Sequence, residues 1–248
     1  MILAQNVFAH NRDAEKFLVD CEKLMHDDSV LYIQTSQANM ILENQFDTIY
    51  HEHLSFFNIN SMMNLVNRSS TELQLTEVHK SPVHGISYIF VITKNQNRHE
   101  NSHYSMQNHI NIEKVKGLYD IKTYDNYREN VLKITKDFTY EIQSAREDDY
   151  TIIGYGAAAK GMTFLNFADV KLDYIIDDNP LKQNLYTPGT NIEIKSIELL
   201  EQYDTDGKIL FVPLAWNFYD EIKTRILKVR DNENDKFLRY FPSVKVEK

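Results

Sequence analysis

Residues 150–161 read Tyr-Thr-Ile-Ile-Gly-Tyr-Gly-Ala-Ala-Ala-Lys-Gly, an apolar run followed by a glycine-rich turn and the start of a helix. This order matches the G-x-G-x-x-A fingerprint, in which a buried strand turns tightly into a helix. A helical stretch to Phe167 and an apolar strand over Leu172–Ile176 complete a β-α-β unit. The stretch therefore predicts a Rossmann-like C-terminal domain with a mostly parallel sheet.

The sequence on either side of this unit extends the α/β pattern. Downstream, strands are predicted at Ile192–Ile194, Ile209–Val212 and Phe237–Phe241, with helices beginning at Ile197 and Tyr219. Upstream, apolar residues recur at helical spacing between Tyr127 and Ala145 and predict a long linker helix. The polar stretch Lys94–His109 is predicted to be a loop.

The N-terminal part of the chain reads as strand, helix, strand, helix, strand, strand up to residue 94. The predicted organisation is a partial domain over 1–94, a polar loop and linker helix over 95–148, and a Rossmann-like domain over 149–248. The predicted fold class is α/β.

Composition narrows the range of functions. Lys and Arg number 27 against 36 Asp and Glu, which gives a formal net charge of −9 and argues against nucleic acid or an anionic membrane as a partner. Cys21 is the single cysteine, so an internal disulfide and a thiolate zinc cluster are excluded. No signal peptide or membrane-spanning run is recognisable, and a cytoplasmic location is expected.

A second informative stretch is residues 45–57, Gln-Phe-Asp-Thr-Ile-Tyr-His-Glu-His-Leu-Ser-Phe-Phe. Tyr50, His51, Glu52 and His53 stand in a row between apolar residues, and neither a strand nor a helix could bury such a run without leaving polar groups unpaired. A packed functional loop is predicted. The His51-x-His53 spacing occurs in metal sites, but no third ligand set is evident, so no metal is predicted.

His99-Glu100-Asn101-Ser102-His103 spells the zinc-protease motif. That chemistry needs both histidines one turn apart on a packed helix. The flanking residues are polar and give no apolar helical stripe, so a solvated loop is the preferred interpretation.

The glycine-rich turn leaves two interpretations open. Gly154 and Gly156, with Asp177 about twenty residues on, fit a dinucleotide site and hence an NAD(P)-dependent oxidoreductase. Alternatively, the turn belongs to a Rossmann-like domain that binds something else or nothing. Lys160 at the start of the helix would suit a phosphate.

Several segments resemble the nucleotide-sugar C-methyltransferases, which use S-adenosylmethionine. They are the 45–57 stretch, Asn6–His10, Val83-His84-Gly85 with Ser87, Tyr155–Phe167, Tyr186–Thr190, and Trp216–Phe218 with Glu221 and Ile222. The segments follow one another over nearly the whole chain. The resemblance favours a substrate domain over a dinucleotide domain at the C-terminus.

The resemblance implies C-methylation of a nucleotide-linked keto-deoxysugar. In that chemistry His53 would remove the proton beside the ketone, Tyr50 and His10 would hydrogen-bond the enolate oxygen, and Glu52 would orient an imidazole. The substrate-binding residues that it implies are His84, Tyr155, Gly156, Lys160 and Asn166.

The chain also departs from the family pattern. It has no glycine before Gly85 and lacks the family's cysteine-rich zinc module and glycine-rich cofactor loop, so no cofactor-binding residues are assigned. Ile86 and Ile89 stand where the family usually carries glycine and arginine. We expect the C-terminal half of a methyltransferase sheet, and either a complementary N-terminal chain supplies the missing half or the protein starts further upstream. The alternative is a non-catalytic relic that binds a nucleotide sugar.

Overall fold

The first sheet is a mixed four-stranded sheet with strand order β1-β2-β4-β3. In this computed structural model, which describes residues 1–35, 38–70, 72–81, 87–94, 100–203 and 207–248, its strands are β1 (Ile2–Gln5), β2 (Val30–Thr35), β3 (Leu73–Ser81) and β4 (Ser87–Lys94). β1 is parallel to β2, whereas β4 is antiparallel to both of its neighbours. The predicted strands of the N-terminal part are confirmed.

Two short amphipathic helices cover the first sheet, α1 (Ala14–Lys23) and α2 (Ile59–Ser69). The Asp13 side chain caps α1 by accepting a hydrogen bond from Lys16 N at 2.8 Å. Asn58 and Ser61 form a reciprocal capping box at the start of α2. The core beneath them contains fully buried Phe8, Leu18, Ile33, Ile59 and Phe90, among other residues.

The loop predicted over Lys94–His109 is wrong from residue 100 onwards, because α3 spans Glu100–Val115. Met106 is buried, Ile110 packs against the core of the first unit and Glu113 is only 2% exposed. One face of α3 is therefore buried in the first unit. Its inward stripe includes an acid, and this is why apolar periodicity missed it. His99 of the zinc-protease motif lies outside the described residues.

The second sheet has six strands in the order β10-β9-β8-β5-β6-β7. These strands are β5 (Thr151–Tyr155), β6 (Tyr174–Ile176), β7 (Ile194–Lys195), β8 (Ile209–Pro213), β9 (Lys236–Arg239) and β10 (Lys245–Glu247). All neighbours are parallel except β10, which pairs antiparallel with β9. The predicted Rossmann-like α/β class is confirmed; the short β10 was not predicted.

Three helices pack on the second sheet: α4 (Ile121–Glu147), α5 (Ala159–Ala168) and α6 (Tyr219–Val229). α4 buries Val131, Ile134, Phe138 and Ile142 in the same core as Ile152 and Phe164. This helix is therefore a layer of the second unit for most of its length. The helix predicted from Ile197 is a 3₁₀ segment, Ile197–Gln202.

The chain divides into two compact units, residues 1–42 with 51–126, and residues 43–50 with 127–248. The boundary therefore falls inside α4, and the short segment 43–50 belongs to the second unit. The predicted domain limits at residues 94 and 149 stay a prediction. No helix among the described residues has the length and apolar character needed to cross a bilayer.

Tight turns in both units use asparagine and aspartate in the left-handed region. Within the described ranges, the non-glycine residues with positive φ are Asn6, Asn44, Asp149, Asp169, Asn184 and Asn191. Short polar side chains tolerate this conformation better than other non-glycine residues do. The chain has only 7 glycines, so asparagine and aspartate take over part of their usual role.

Candidate active site

Two of the predicted catalytic residues meet in the first unit. His10 ends the 3₁₀ turn Phe8–His10 that follows β1, and its ring centroid lies 5.2 Å from that of His53. The Leu54 N–H donates to the Ala9 carbonyl at 2.8 Å and ties the His53 segment to this turn. His10 is exposed and His53 is half-buried. A ligand can therefore reach both imidazoles at the carboxyl end of β1.

The other residues of the 50–53 row lie differently. His51 and Glu52 are exposed, while Tyr50 is half-buried and ends the segment that packs in the second unit. The orienting role of Glu52 and the enolate-binding role of Tyr50 stay predictions. Among the described residues, no group of three or more His, Cys, Asp or Glu side chains is arranged to hold a metal ion. His84 lies outside the described residues.

The second unit carries a crevice at the carboxyl ends of β5, β6 and β8. It has a volume of 320 Å³, and its lining includes Tyr155, Gly156, Asp178, Phe218 and Arg225. β6 lies on one side of β5 and β8 on the other, so the crevice sits where the order of the strands reverses. Open α/β sheets characteristically bind ligands at this position.

A hydrogen-bonded trio shapes one wall of this crevice. The Tyr155 hydroxyl donates to Asp178 Oδ1 at 2.7 Å, and Arg225 Nη1 lies 3.0 Å from Asp178 Oδ2. Burial, and then the bond to the Asp178 carboxylate, raise the pKa of Tyr155 well above its usual range. The phenol stays neutral, so it can also accept a hydrogen bond from a ligand.

Asp177, the predicted ribose acid of the dinucleotide alternative, is otherwise engaged. Its Oδ2 accepts from Ala157 N at 2.8 Å and from Lys182 Nζ at 3.1 Å, and its Oδ1 accepts from Asn179 N at 2.9 Å. The carboxylate therefore fixes the conformation of the glycine-rich turn through its hydrogen bond from Ala157 N. A backbone N–H that a dinucleotide pyrophosphate would need is already bonded within the protein.

The glycines of the same turn are explained by packing. A Cβ at Gly154 would lie 2.9 Å from the Leu172 side chain, and Gly156 has a φ of +96°. The turn thus needs both glycines whatever it binds. Together with the bonding of Asp177, this geometry removes the specific support for an oxidoreductase.

Lys160 and Asn166, both predicted to bind substrate, are not among the residues that line the crevice. The Lys160 ammonium lies 4.9 Å from the centre of the Trp216 ring, a cation–π distance. Asn166 Nδ2 donates to Met162 O at 2.7 Å and to Pro188 O at 3.2 Å, which places it under the 186–190 turn. Of the predicted substrate residues, the structure brings Tyr155 and Gly156 together.

Asp47 is a buried charged residue to which the sequence patterns assign no role. It lies in the 3₁₀ turn Phe46–Thr48 and is fully buried in the second unit. The Trp216 Nε1–H donates to Asp47 Oδ2 at 2.6 Å, whereas among the described residues Asp47 Oδ1 has no side-chain partner, and the backbone N–H groups of Asp47 and Thr48 also act on the carboxylate. Burial raises the pKa of Asp47 to about 6, although the Lys160 charge and the Trp216 bond act in the opposite direction.

Comparison with known proteins agrees with this architecture. The family model of the C-methyltransferase C-terminal domain matches residues 82–242. The chain belongs to this C-methyltransferase family. The match covers the whole second sheet up to β9 and begins after the 45–57 segment.

A curated relative extends the likeness towards the N-terminus. The chain is 27% identical over 226 residues, 90% of its length, to the C-methyltransferase NovU of Streptomyces niveus. It spans only 52% of that protein. The resemblance to sugar C-methyltransferases inferred from the motifs is confirmed at the level of the family.

Proposed function

We propose that the chain acts in the S-adenosylmethionine-dependent C-methylation of a nucleotide-linked keto-deoxysugar. The observation that carries the proposal is the His10–His53 pair, whose ring centroids are 5.2 Å apart at the carboxyl end of β1. Membership of the C-methyltransferase family supplies the reaction class. The 320 Å³ crevice of the second unit supplies a candidate place for part of the nucleotide sugar.

The proposed chemistry of this chain is a proton transfer. The ketone acidifies the neighbouring C–H, neutral His53 accepts that proton, and the C–H electron pair becomes an enolate. His10 and Tyr50 donate hydrogen bonds to the enolate oxygen, where negative charge develops. The enolate carbon is then the nucleophile for a methyl group, and the imidazolium of His53 later returns its proton to solvent.

The residues of this chain do not fit a methyl-donor site. The 84 residues before Gly85 contain no glycine, so the first unit offers no glycine-rich turn for close backbone approach to a nucleoside. Part of the proposal is therefore that another polypeptide segment supplies the donor site. The proton transfer and substrate binding belong to the residues described above.

Hydrogen exchange into the sugar tests this function without a methyl donor. A thymidine-diphosphate keto-deoxysugar is incubated with the chain in D₂O, and the C–H beside the ketone is followed by NMR. We expect enzyme-dependent replacement of that hydrogen by deuterium. His53→Gln should abolish this exchange and leave binding of the sugar nucleotide, measured by calorimetry, unchanged.

His26→Gln is the matched control, because His26 is an exposed histidine of the same unit, outside the His10–His53 pair. It should exchange like the unmodified chain. Binding without exchange in the unmodified chain would contradict catalysis and favour a non-catalytic nucleotide-sugar-binding module. Absence of binding to several nucleotide sugars would contradict the proposal altogether.

A further inference from the structure

The segment 43–50 is held in the second unit by contacts of three kinds. Phe46 packs against Phe164 and Phe167, with ring centroids 5.3 and 4.9 Å away. The Asn130 side chain of α4 donates to Asn44 Oδ1 at 3.3 Å. The third contact is the 2.6 Å hydrogen bond from Trp216 to Asp47. Tyr50 is the last residue of this segment.

The buried carboxylate of Asp47 lowers the stability of the folded chain, even though it accepts a hydrogen bond from Trp216. An ionised carboxylate that accepts a single side-chain hydrogen bond among the described residues is unfavourable in a fully buried place. Asparagine has almost the same shape and could accept the same indole hydrogen bond without a charge. What aspartate adds is an electrostatic interaction with the half-buried Lys160 ammonium, which lies over the Trp216 ring.

We propose that Asp47 is a positioning residue for Tyr50, fixing the segment 43–50 in one place through the Trp216 N–H and the Lys160 charge. The catalytic meaning of this role rests on the proposed function, in which Tyr50 donates to the enolate oxygen. Asp47 itself touches no substrate. It acts through a segment only three residues long that leads to Tyr50.

The ionisation of Asp47 provides an observable with which this role can be tested. The titratable groups that interact with it are Lys160 from α5, Tyr127 from α4 and Tyr240 from the stretch after β9. Both tyrosines stay neutral in the physiological range, because burial raises their pKa further above its usual value. Lys160 is therefore the cation of this group, and it favours the ionised form of Asp47.

Trp216 is the single tryptophan of the chain and bonds Asp47 directly, so its fluorescence reports on the carboxyl group. We expect the emission of the unmodified chain to titrate with a midpoint near the Asp47 pKa of about 6. Asp47→Asn should abolish this titration. Lys160→Met should move the midpoint upwards, because the cation that favours ionised Asp47 is gone.

Hydrogen exchange of backbone amides 46–50 measures the positioning itself. Asp47→Leu removes the indole bond and the charge, and exchange should become about tenfold faster, the factor expected for one lost hydrogen bond. Asp47→Asn keeps an acceptor for the indole and carries no buried charge, so its exchange should be no faster than that of the unmodified chain. Asp137→Asn, which removes an exposed carboxylate on α4, is the control and should change neither exchange nor emission.

The role in catalysis is read from the deuterium exchange of the keto sugar. Asp47→Leu, which removes the indole hydrogen bond, should lower the rate constant of that exchange several-fold and leave the dissociation constant of the sugar nucleotide unchanged. Equal amide exchange in Asp47→Leu and the unmodified chain, or an emission titration that survives in Asp47→Asn, would overturn the proposal. If the unmodified chain catalyses no sugar exchange, the proposed function fails, while the amide and emission results still decide whether Asp47 fixes Tyr50.

Discussion

Glu113 in the first unit and Asp47 in the second are two buried carboxyl groups with different surroundings. Glu113 accepts hydrogen bonds from Ile59 N at 3.2 Å and from the Tyr119 hydroxyl, and it also interacts with Tyr88. Asp47 accepts the Trp216 indole N–H on one oxygen, and among the described residues its other oxygen has no side-chain partner. Burial raises the pKa of both groups.

The difference separates a carboxyl group that stabilises the folded chain from one that lowers its stability. Glu113 satisfies the first backbone N–H of α2 and joins that helix to α3, so its burial is repaid by hydrogen bonds. Asp47 accepts the Trp216 side-chain hydrogen bond, and an asparagine could keep that bond without the cost of a buried charge. Hydrogen-bond satisfaction therefore distinguishes the two roles better than burial does.

The strongest test of this contrast is Glu113→Leu. The substitution leaves Ile59 N–H and the Tyr119 hydroxyl without their acceptor, so we expect a loss of about 3 kcal/mol in the free energy of unfolding. Urea unfolding monitored by circular dichroism measures it. Glu113→Gln, which keeps an acceptor oxygen, should lose about 1 kcal/mol. Equal stability of Glu113→Leu and the unmodified chain would refute the structural role.

Asp47→Asn should instead change the pH dependence of stability. The folded chain binds the Asp47 proton more tightly than the unfolded chain, because the pKa rises from 3.8 to about 6. This contribution is fully present below pH 4 and is lost as the pH rises through about 6. Relative to the unmodified chain, Asp47→Asn should therefore gain up to about 3 kcal/mol between pH 4 and pH 7.

Urea unfolding at pH 4, 5, 6 and 7 measures this gain. A difference between the two proteins that does not depend on pH would show that Asp47 does not titrate in this range. A loss of stability at pH 7 in Asp47→Asn would make Asp47 a structural residue like Glu113.

Tyr155→Phe tests the hydrogen bond to Asp178, a carboxylate that is less buried than Glu113 or Asp47. The side chain of Asp178 is 42% exposed. Removing the 2.7 Å hydrogen bond should lower stability by about 1 kcal/mol, since water can replace the lost donor. The dissociation constant for the nucleotide sugar should rise several-fold if the crevice binds it. Calorimetric titration decides, and unchanged affinity would place the ligand elsewhere.

The smallest effect is expected at Asp13, an exposed carboxylate that caps α1. Asp13→Ala removes the acceptor of Lys16 N, and the N-cap contribution is about 1 kcal/mol or less because water solvates the freed N–H. Thermal unfolding at pH 7 should show a slight decrease in the midpoint. A loss of stability as large as that of Glu113→Leu would mean that the contribution of a carboxyl group does not increase with its burial.

Much of the fold follows from patterns in the sequence. The apolar run and glycine turn at 150–161 predict β5 and α5, and alternating apolar segments predict β1, β2, β8 and α6. α3 escapes because its buried face uses Met106, Ile110 and Glu113, so an acid replaces an apolar residue in the repeat. β10 is three residues long, too short for a periodic signal.

The candidate site is less predictable. His10 and His53 are found by their motifs, but Asp47 carries no spacing signal. Its partner Trp216 lies 169 residues away in the chain. The sequence offers only a local indication. Asp47 stands between the apolar residues Phe46 and Ile49, and a carboxylate in such a segment is seldom buried unless it is paired.

The asparagine and aspartate turns have a consequence for the unfolded chain. At six described positions from Asn6 to Asn191 with positive φ, the residue is asparagine or aspartate, whose side chain restricts backbone freedom before folding. A glycine at these positions would fit the folded turn with less strain but would enlarge the unfolded ensemble. With six such positions in its described part, the chain begins folding from a narrower set of conformations than a sequence with glycine at those positions would.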